Sequence, residues 1–158
     1  EANPMVHRHY TGLEILEQIA GPIDGFCSGI GTGGTITGIG ETLKAVNPHI
    51  TIWAVEPENA AILAGGTVGS HIQMGIGDGL IPKVLNQSIF EDIAIISDEE
   101  ALQTAKDLAR LEGLMCGISS GTNVAAALRM AHKLGKGKTV VTVLPDTAER
   151  YFSTPLFE

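Results

Sequence analysis

A ten-residue stretch dominated by glycine and threonine follows the first strongly apolar run of the chain and limits what the chain can fold into. Residues 29–38 read GIGTGGTITG, with five glycines and three threonines, directly after the apolar run at 23–28. Glycine costs backbone entropy on folding, so this density indicates a tight turn with a further role. We predict a buried strand over 23–28, a glycine turn, and a helix over 35–46 that ends before Asn47-Pro48.

The same alternation of apolar β-branched runs and helical patterns continues along the chain. Further strands are predicted at 51–57, 93–97, 114–118 and 139–144. A short helix is expected after the second strand, and the glycine-rich residues 65–82 are predicted to form a long loop. This order predicts a single α/β segment over residues 1–158, with a parallel sheet that carries helices on both of its faces.

The sequence predicts the ends and the inward-facing residues of two further helices. Ser97 and Glu100 form the pattern of a capping box, and the helix that they begin is expected to end at Gly113. Its inward face is predicted to carry Ala101, Ala105, Leu108 and Ala109. The helix that follows SSG at 119–121 is expected to end at Gly135, with Val124, Ala127, Leu128, Ala131 and Leu134 facing inward.

Composition narrows the class of protein. The chain has 158 residues, 44% apolar content and a formal charge of −8, which excludes disorder and offers no basic stripe for nucleic acid or an anionic membrane. It contains no apolar run of the roughly 20 residues that span a bilayer, and its first residues do not form a signal peptide. Cys27 and Cys116 are expected to be reduced, buried thiols. An intracellular, cytoplasmic protein is the expectation.

Two strand ends carry small, hydroxyl-bearing turns at the starts of helices, where parallel sheets bind ligands. The first, GIGTGGT, matches G-x-G-x-x-G at Gly29, Gly31 and Gly34, and Glu56 would then contact a ribose in a dinucleotide fold. Thr32 and Thr35 favour instead a terminal phosphate held at a helix N-terminus. A third possibility is a tight connection with no ligand.

The second turn, SSGTN, places Ser119, Ser120 and Thr122 at a helix start. One serine can cap the helix while the other faces the cleft, and spacing alone leaves both roles open. His7 and His9 are two residues apart and do not share a helix face, so they do not predict a metal site. His49, His71 and His132 are expected to be isolated surface residues.

Five motifs, taken together and in order, resemble a known family. They are GTGGT after a strand, VEP, GIGDGLIP, GISSG before a helix and LPDTAERYFST. The chain resembles the cysteine synthases (O-acetylserine sulfhydrylases), which are fold type II pyridoxal-phosphate enzymes of the tryptophan synthase β-like family. The resemblance runs along nearly the whole chain and implies the larger C-terminal domain of such an enzyme.

The resemblance implies a role for particular residues. The cofactor phosphate would be held by Gly31, Thr32, Gly33, Gly34 and Thr35. Ser119 would hydrogen-bond the pyridine nitrogen, and a neutral hydroxyl there makes the ring a weaker electron sink, which favours β-elimination and replacement. The Gly75-Ile76-Gly77 turn would border the substrate. The enzyme would make cysteine from an amino-acid substrate, O-acetylserine, and sulfide; a homodimer and docking of the C-terminal tail of serine acetyltransferase are also implied.

The chain departs from the family pattern in one important respect. The lysine that binds the cofactor covalently, and the loop that holds the substrate carboxylate, belong to an earlier segment of the family. Lys44, Lys83, Lys106, Lys133, Lys136 and Lys138 do not match the motif of that lysine. Smaller departures are Met74, where glutamine is common, and Cys116. We therefore expect this chain to correspond to the C-terminal half and to be inactive alone. We also expect it to expose apolar surface, and either to self-associate or to require the N-terminal segment.

Three alternatives to a cysteine synthase remain open from the sequence. A cystathionine β-synthase shares the same motifs and differs in substrate. An NAD-dependent Rossmann enzyme would use the glycine loop for a pyrophosphate. A non-catalytic relative would use the cleft to bind a partner protein.

Overall fold

Four parallel strands form the centre of the computed structural model, which describes residues 2–157. The strands are β1 (Gly25–Gly29), β2 (Thr51–Pro57), β3 (Asp92–Ile96) and β4 (Val140–Val141). They lie in the order β3-β2-β1-β4, and each neighbouring pair is parallel. The predicted α/β class is therefore confirmed.

Helices cover both faces of this sheet. They are α1 (Ala2–Val6), α2 (Gly12–Gln18), α3 (Gly34–Val46), α4 (Asp98–Asp107) and α5 (Ile118–Leu134). Successive side chains of a strand point to opposite faces. Phe26 of β1 accordingly joins the core on the α3 side, whereas Cys27 joins the core formed with α4 and α5. Within residues 2–157, no helix is both long and apolar enough to cross a membrane.

Short helical turns complete the element order. Two π-helical turns, His7–Thr11 and Leu108–Glu112, follow α1 and α4 directly. Short 3₁₀ turns lie at Glu58–Ala60, Ala148–Tyr151 and Pro155–Phe157. The predicted short helix after the second strand is the first of these 3₁₀ turns. The described residues between it and β3 contain no regular element, which confirms the long loop predicted at 65–82.

The N-terminus of α4 has the predicted cap. The Ser97 hydroxyl accepts a hydrogen bond from the amide of Glu100 at 3.2 Å. The Glu100 carboxylate pairs with Arg129 of α5 rather than reaching back to Ser97. This ion pair connects the two helices, and Gly121 brings their backbones together, because a Cβ there would clash with the carbonyl oxygen of Ala101.

The predicted strand at 114–118 is wrong. Gly113, with a φ of +71°, ends the preceding helical turn, and α5 already begins at Ile118. Too few residues remain between them for a strand, so Cys116 makes a single antiparallel bridge with Thr147. The apolar residues that suggested a strand are partly solvated: Leu114 is 46% exposed and Met115 is 57% exposed.

The predicted last strand at 139–144 is shorter in the structure. It pairs with β1 through Val140 and Val141, opposite Gly25 and Phe26. Beyond this point the backbone of residues 142–145 separates from β1, and the Thr142 hydroxyl instead donates to the carbonyl oxygen of Cys27 at 2.7 Å. The apolar run therefore predicted that this segment joins the parallel sheet, but not how many of its residues pair with β1.

The inward face predicted for α5 is rotated from the observed one. Leu128 is 62% exposed, and the helix instead buries a line of residues that includes Thr122, Asn123, Ala126 and Met130. The first two are polar side chains with buried hydrogen-bond partners, which an apolar pattern does not detect. Val124, Ala127, Ala131 and Leu134 are half-buried.

Both cysteines are free, buried thiols, as predicted. Burial raises the pKa of Cys27 to about 11, and hydrogen bonding to Thr142 opposes that shift. Burial also raises the pKa of Cys116. Both side chains are therefore protonated near neutral pH and act as small apolar groups.

The corrected face of α5 can be tested with two substitutions on that helix. We expect Met130→Ala to lower the free energy of unfolding by about 2–5 kcal/mol, because the thioether is fully buried under Gly25. Leu128→Ala is expected to change it by less than about 0.5 kcal/mol, because that side chain is exposed. Urea denaturation of the two variants measures the difference, and equal losses would restore the face predicted from sequence.

Candidate cofactor-binding site

A cavity of about 560 Å³ opens at the carboxyl end of β1. The loop from β1 to α3 forms one wall, the turn at Gly75 and Ile76 forms another, and residues 143–145 form a third. The lining residues are His7, Thr11, Ser28, Gly29, Gly31, Thr32, Gly33, Thr35, Gly75, Ile76, Asn123, Val143, Leu144 and Pro145. The volume lies in the range that small-molecule and cofactor sites occupy.

The loop between β1 and α3 depends on its glycines at two positions. Gly33 is the N-cap of α3 and has a φ of +80°, in the left-handed region that disfavours other residues. At Gly31 a Cβ would clash with the carbonyl oxygen of Gly75, so the two walls of the cavity approach each other at this point. A side chain at either position would move the loop or close the site.

The start of α3 provides the electrostatics expected of an anion site. The first amides of a helix lack partners within it and lie at the positive end of its dipole. The first turn of α3, which lies wholly within the described residues, carries no acidic side chain. Thr32 and Thr35 add hydroxyl groups beside those amides and line the cavity. Amides, hydroxyls and helix dipole together suit a phosphate group.

His7 lines the cavity, although no pattern in the sequence predicts this. Its Nε2 lies 3.3 Å from the Thr35 hydroxyl and its Nδ1 lies 3.1 Å from the Thr11 hydroxyl. Burial lowers the pKa of this imidazole below its ordinary value of 6.5, which favours the neutral ring. The contact arises because the N-terminal helices pack over α3, and spacing within the sequence cannot reveal it.

Asn3 also reaches the glycine loop from the N-terminal segment. Its side-chain amide donates to the Thr32 hydroxyl at 2.9 Å, and that oxygen also lies 3.4 Å from the amide nitrogen of Gly34. Gly34 is not among the residues that line the cavity, and a Cβ at this position would clash with the side chain of Asn3. Among the residues from 2 to 157, no group of three or more His, Cys, Asp or Glu side chains could hold a metal ion.

The turn at 75–77 faces the glycine loop across the cavity. Gly75 and Ile76 line it, whereas Gly77 lies behind them and donates its amide to the carbonyl oxygen of Ile30 at 2.9 Å. This hydrogen bond fixes the turn to the end of β1. The structure therefore brings the turn and the glycine loop together.

The serines at the start of α5 do not cap it. The N-cap is Gly117, and Ser119 and Ser120 lie in the first turn of the helix. Ser119 is 4% exposed and is not part of the cavity lining, which α5 reaches through Asn123 one turn later. In the described part of the chain, the Ser120 hydroxyl is buried and has no hydrogen-bond partner.

Glu56 has a structural role. Its carboxylate is 4% exposed and accepts hydrogen bonds from the amides of Leu63 and Ala64, at 2.9 and 3.1 Å. Both oxygens are therefore engaged within the chain, and the carboxylate is not presented to a ribose. The dinucleotide alternative loses the acidic residue on which it depended.

Lysines lie elsewhere in the fold. Among the described residues, no lysine lines the 560 Å³ cavity. Lys133 pairs with Asp92 and lies over the ring of Trp53, and Lys138 pairs with Asp24.

Comparison with known proteins identifies the family. Residues 1–146 match the family described as pyridoxal-phosphate dependent enzyme. The chain belongs to this family, whose cofactor is pyridoxal 5′-phosphate. This membership overturns the dinucleotide alternative.

Individual relatives show which members of this family the chain is similar to. The chain is 48% identical over 157 residues to a cysteine synthase of Staphylococcus aureus, a match that covers 99% of this chain and 51% of that protein. The structure of an O-ureido-L-serine synthase superposes with a TM-score of 0.94 at 42% identity, covering 99% of this chain and 50% of the other. An O-acetylserine-dependent cystathionine β-synthase from Helicobacter pylori gives 0.94 at 38% identity, covering 99% and 51%. The chain thus spans about half the length of the relatives that it matches.

The environment of His7 leads to a pH-dependent prediction. Because its folded pKa lies below the unfolded value, the folded state binds fewer protons here, and the stability from this group is lost as pH falls through that lowered pKa. We expect the His7 ring to titrate below 6.5 in the folded chain, measured by NMR of the ring nitrogens. Titration at or above 6.5 would show that the ring is solvated or charge-paired, contrary to this geometry.

Proposed function

We propose that this chain supplies the part of a cysteine-synthase-type enzyme that binds the cofactor phosphate. The observation that carries the proposal is the glycine loop, which opens the N-terminus of α3 into a cavity without an acidic side chain in that first turn. The 48% identity to a cysteine synthase supports the same reaction type, formation of cysteine from O-acetylserine and sulfide. Bound pyridoxal phosphate supplies an electron sink for β-replacement on the amino acid.

The residues fit the cofactor in two regions. Gly31, Thr32, Gly33, Gly34 and Thr35 would hold the phosphate with backbone amides and hydroxyls. Val143, Leu144, Pro145 and Ile76 give the rest of the cavity apolar walls that suit an aromatic ring and exclude water. The family resemblance further implies that Ser119 hydrogen-bonds the ring nitrogen, although it is buried at the start of α5 outside the cavity lining. It also implies that the Gly75-Ile76-Gly77 turn borders the substrate, of which Gly75 and Ile76 line the cavity.

The identity of the second substrate is proposed from the relatives that this chain is similar to. Sulfide is the first candidate because the relative at 48% identity is a cysteine synthase. A cystathionine β-synthase-type acceptor is the alternative, supported by the Helicobacter pylori structure at 38% identity. Homodimer formation, docking of a serine acetyltransferase tail and a cytoplasmic location stay predictions of the family resemblance.

Phosphate recognition can be tested by comparing pyridoxal phosphate with pyridoxal, which lacks the phosphate. We expect the chain to bind the phosphorylated form about tenfold more tightly, because charge-assisted hydrogen bonds act on the phosphate alone. In Thr35→Asp we expect this preference to disappear, because the new carboxylate repels the phosphate while it still interacts favourably with the helix dipole. Calorimetric titration measures both affinities.

The control for that experiment is Thr67→Asp, which adds the same charge in the exposed loop at 65–82. It should leave the preference for the phosphorylated form unchanged. Equal affinity for the two ligands in the unaltered chain would contradict phosphate binding by the glycine loop.

We also propose that the 158-residue chain alone does not catalyse the reaction, because no lysine among the described residues lines the cavity. Cysteine formation from O-acetylserine and sulfide, measured by ninhydrin colour, is expected to stay at the uncatalysed rate. A full-length cysteine synthase serves as the positive control. Turnover by the purified chain would overturn this proposal and require another nucleophile in the site.

A further inference from the structure

The cavity lies where two neighbouring strands separate. β1 is hydrogen-bonded to β2 along all five of its residues, from Gly25 to Gly29, whereas its pairing with β4 covers Gly25 and Phe26. Residues 142–145 continue past β4, and residues 143–145 form a wall of the cavity. The width of the cavity therefore depends on the contacts that set the distance between the end of β1 and residues 143–145, where the two backbones no longer pair.

The side chain of Asn123 spans this gap. Its Oδ1 accepts a hydrogen bond from the amide of Gly29 at 2.7 Å, and its Nδ2 donates to the carbonyl oxygen of Val143 at 2.8 Å. The residue is 2% exposed, so both bonds form in a largely dry environment where losing either leaves a backbone group unpaired. Gly29 begins the glycine loop, and Val143 begins the opposite wall.

We propose that Asn123 is a positioning residue that sets the separation between the glycine loop and the wall at 143–145. The consequence for the cofactor rests on the proposed function. A carboxamide suits this place because it donates and accepts at once, and its length matches the gap. An ionised aspartate keeps the acceptor for Gly29 but replaces the donor by an oxygen that the carbonyl oxygen of Val143 repels, and alanine loses both bonds.

Thr122, the residue before Asn123, connects α5 to the wall that the turn at Gly75 and Ile76 forms. The Thr122 hydroxyl donates to Oε1 of Gln73 at 2.8 Å, and the Gln73 amide donates to the carbonyl oxygen of Ile96 and to Asp98, at 3.0 and 2.9 Å. Gln73 is fully buried and lies two residues before Gly75. Two consecutive residues of α5 therefore attach all three walls of the cavity to one rigid helix.

The first test uses the ligand-free chain. We expect Asn123→Ala to raise the hydrogen-exchange rate of the amides in 29–34 and 143–147 about tenfold, because the loop and the wall lose their shared partner. In Asn123→Asp the Gly29 hydrogen bond survives, so the increase should be confined to 143–147. Because aspartate has nearly the same shape, this variant provides a second measurement if the alanine variant does not fold.

The matched control is Asn47→Ala. Asn47 also makes two amide hydrogen bonds, donating to the carbonyl oxygen of Ile23 and accepting from the amide of His49, each at 3.1 Å, but it does not line the cavity. It should leave exchange at 29–34 and 143–147 unchanged. Unchanged exchange in both Asn123 variants, or an equal increase in the control, would overturn the proposal.

The second test adds pyridoxal phosphate. Asn123→Ala is expected to weaken binding about tenfold at a temperature where the variant is fully folded, whereas Asn47→Ala keeps the original affinity. If exchange changes as expected but the unaltered chain binds no pyridoxal phosphate, the proposed function fails and the positioning role stands. If the unaltered chain and Asn123→Ala bind equally, Asn123 has no role in the cofactor site.

Discussion

The unequal pairing of β1 with its two neighbours is the constraint on which the site depends. Five residues of β1 are paired with β2, which fixes the start of the glycine loop at the carboxyl edge of the sheet. On the other side the pairing with β4 ends after two residues, and the backbones separate. Continued pairing would fill the space at the end of β1 with a regular sheet, and the cavity would not form.

Elements whose stability comes from local sequence were predictable. β2 has the predicted bounds, 51–57, because the apolar run at 52–55 is typical of a buried parallel strand and Pro57 ends it. α3 was predicted to within one residue because glycine precedes it and Asn47-Pro48 ends it. The glycine loop was also predictable from local sequence. Ordering so many glycines costs backbone entropy, which indicates a tight turn beside a ligand or another backbone.

Features that depend on packing between distant segments were not predictable. The buried face of α5 includes Thr122 and Asn123, whose partners are 49 and 94 residues away in the chain, so an apolar pattern assigned the helix a different face. His7 meets Thr35 across 28 residues, and no spacing rule connects them. The segment at 114–118 was misassigned because its apolar residues indicated burial in a sheet, whereas Leu114 and Met115 are partly exposed.

The π-helical turn at His7–Thr11 has a consequence for how the N-terminal segment can vary. The amide of Gly12 donates to the carbonyl oxygen of His7, five residues earlier, so this turn contains one residue more than an α-helical turn. Deleting one residue here would restore regular α-helical spacing and rotate the preceding residues by about 100° around the helix axis. Asn3 would then face away from the glycine loop while α2 stayed packed on α3. A change in the length of this segment would therefore remove the contact between Asn3 and Thr32 without altering either residue.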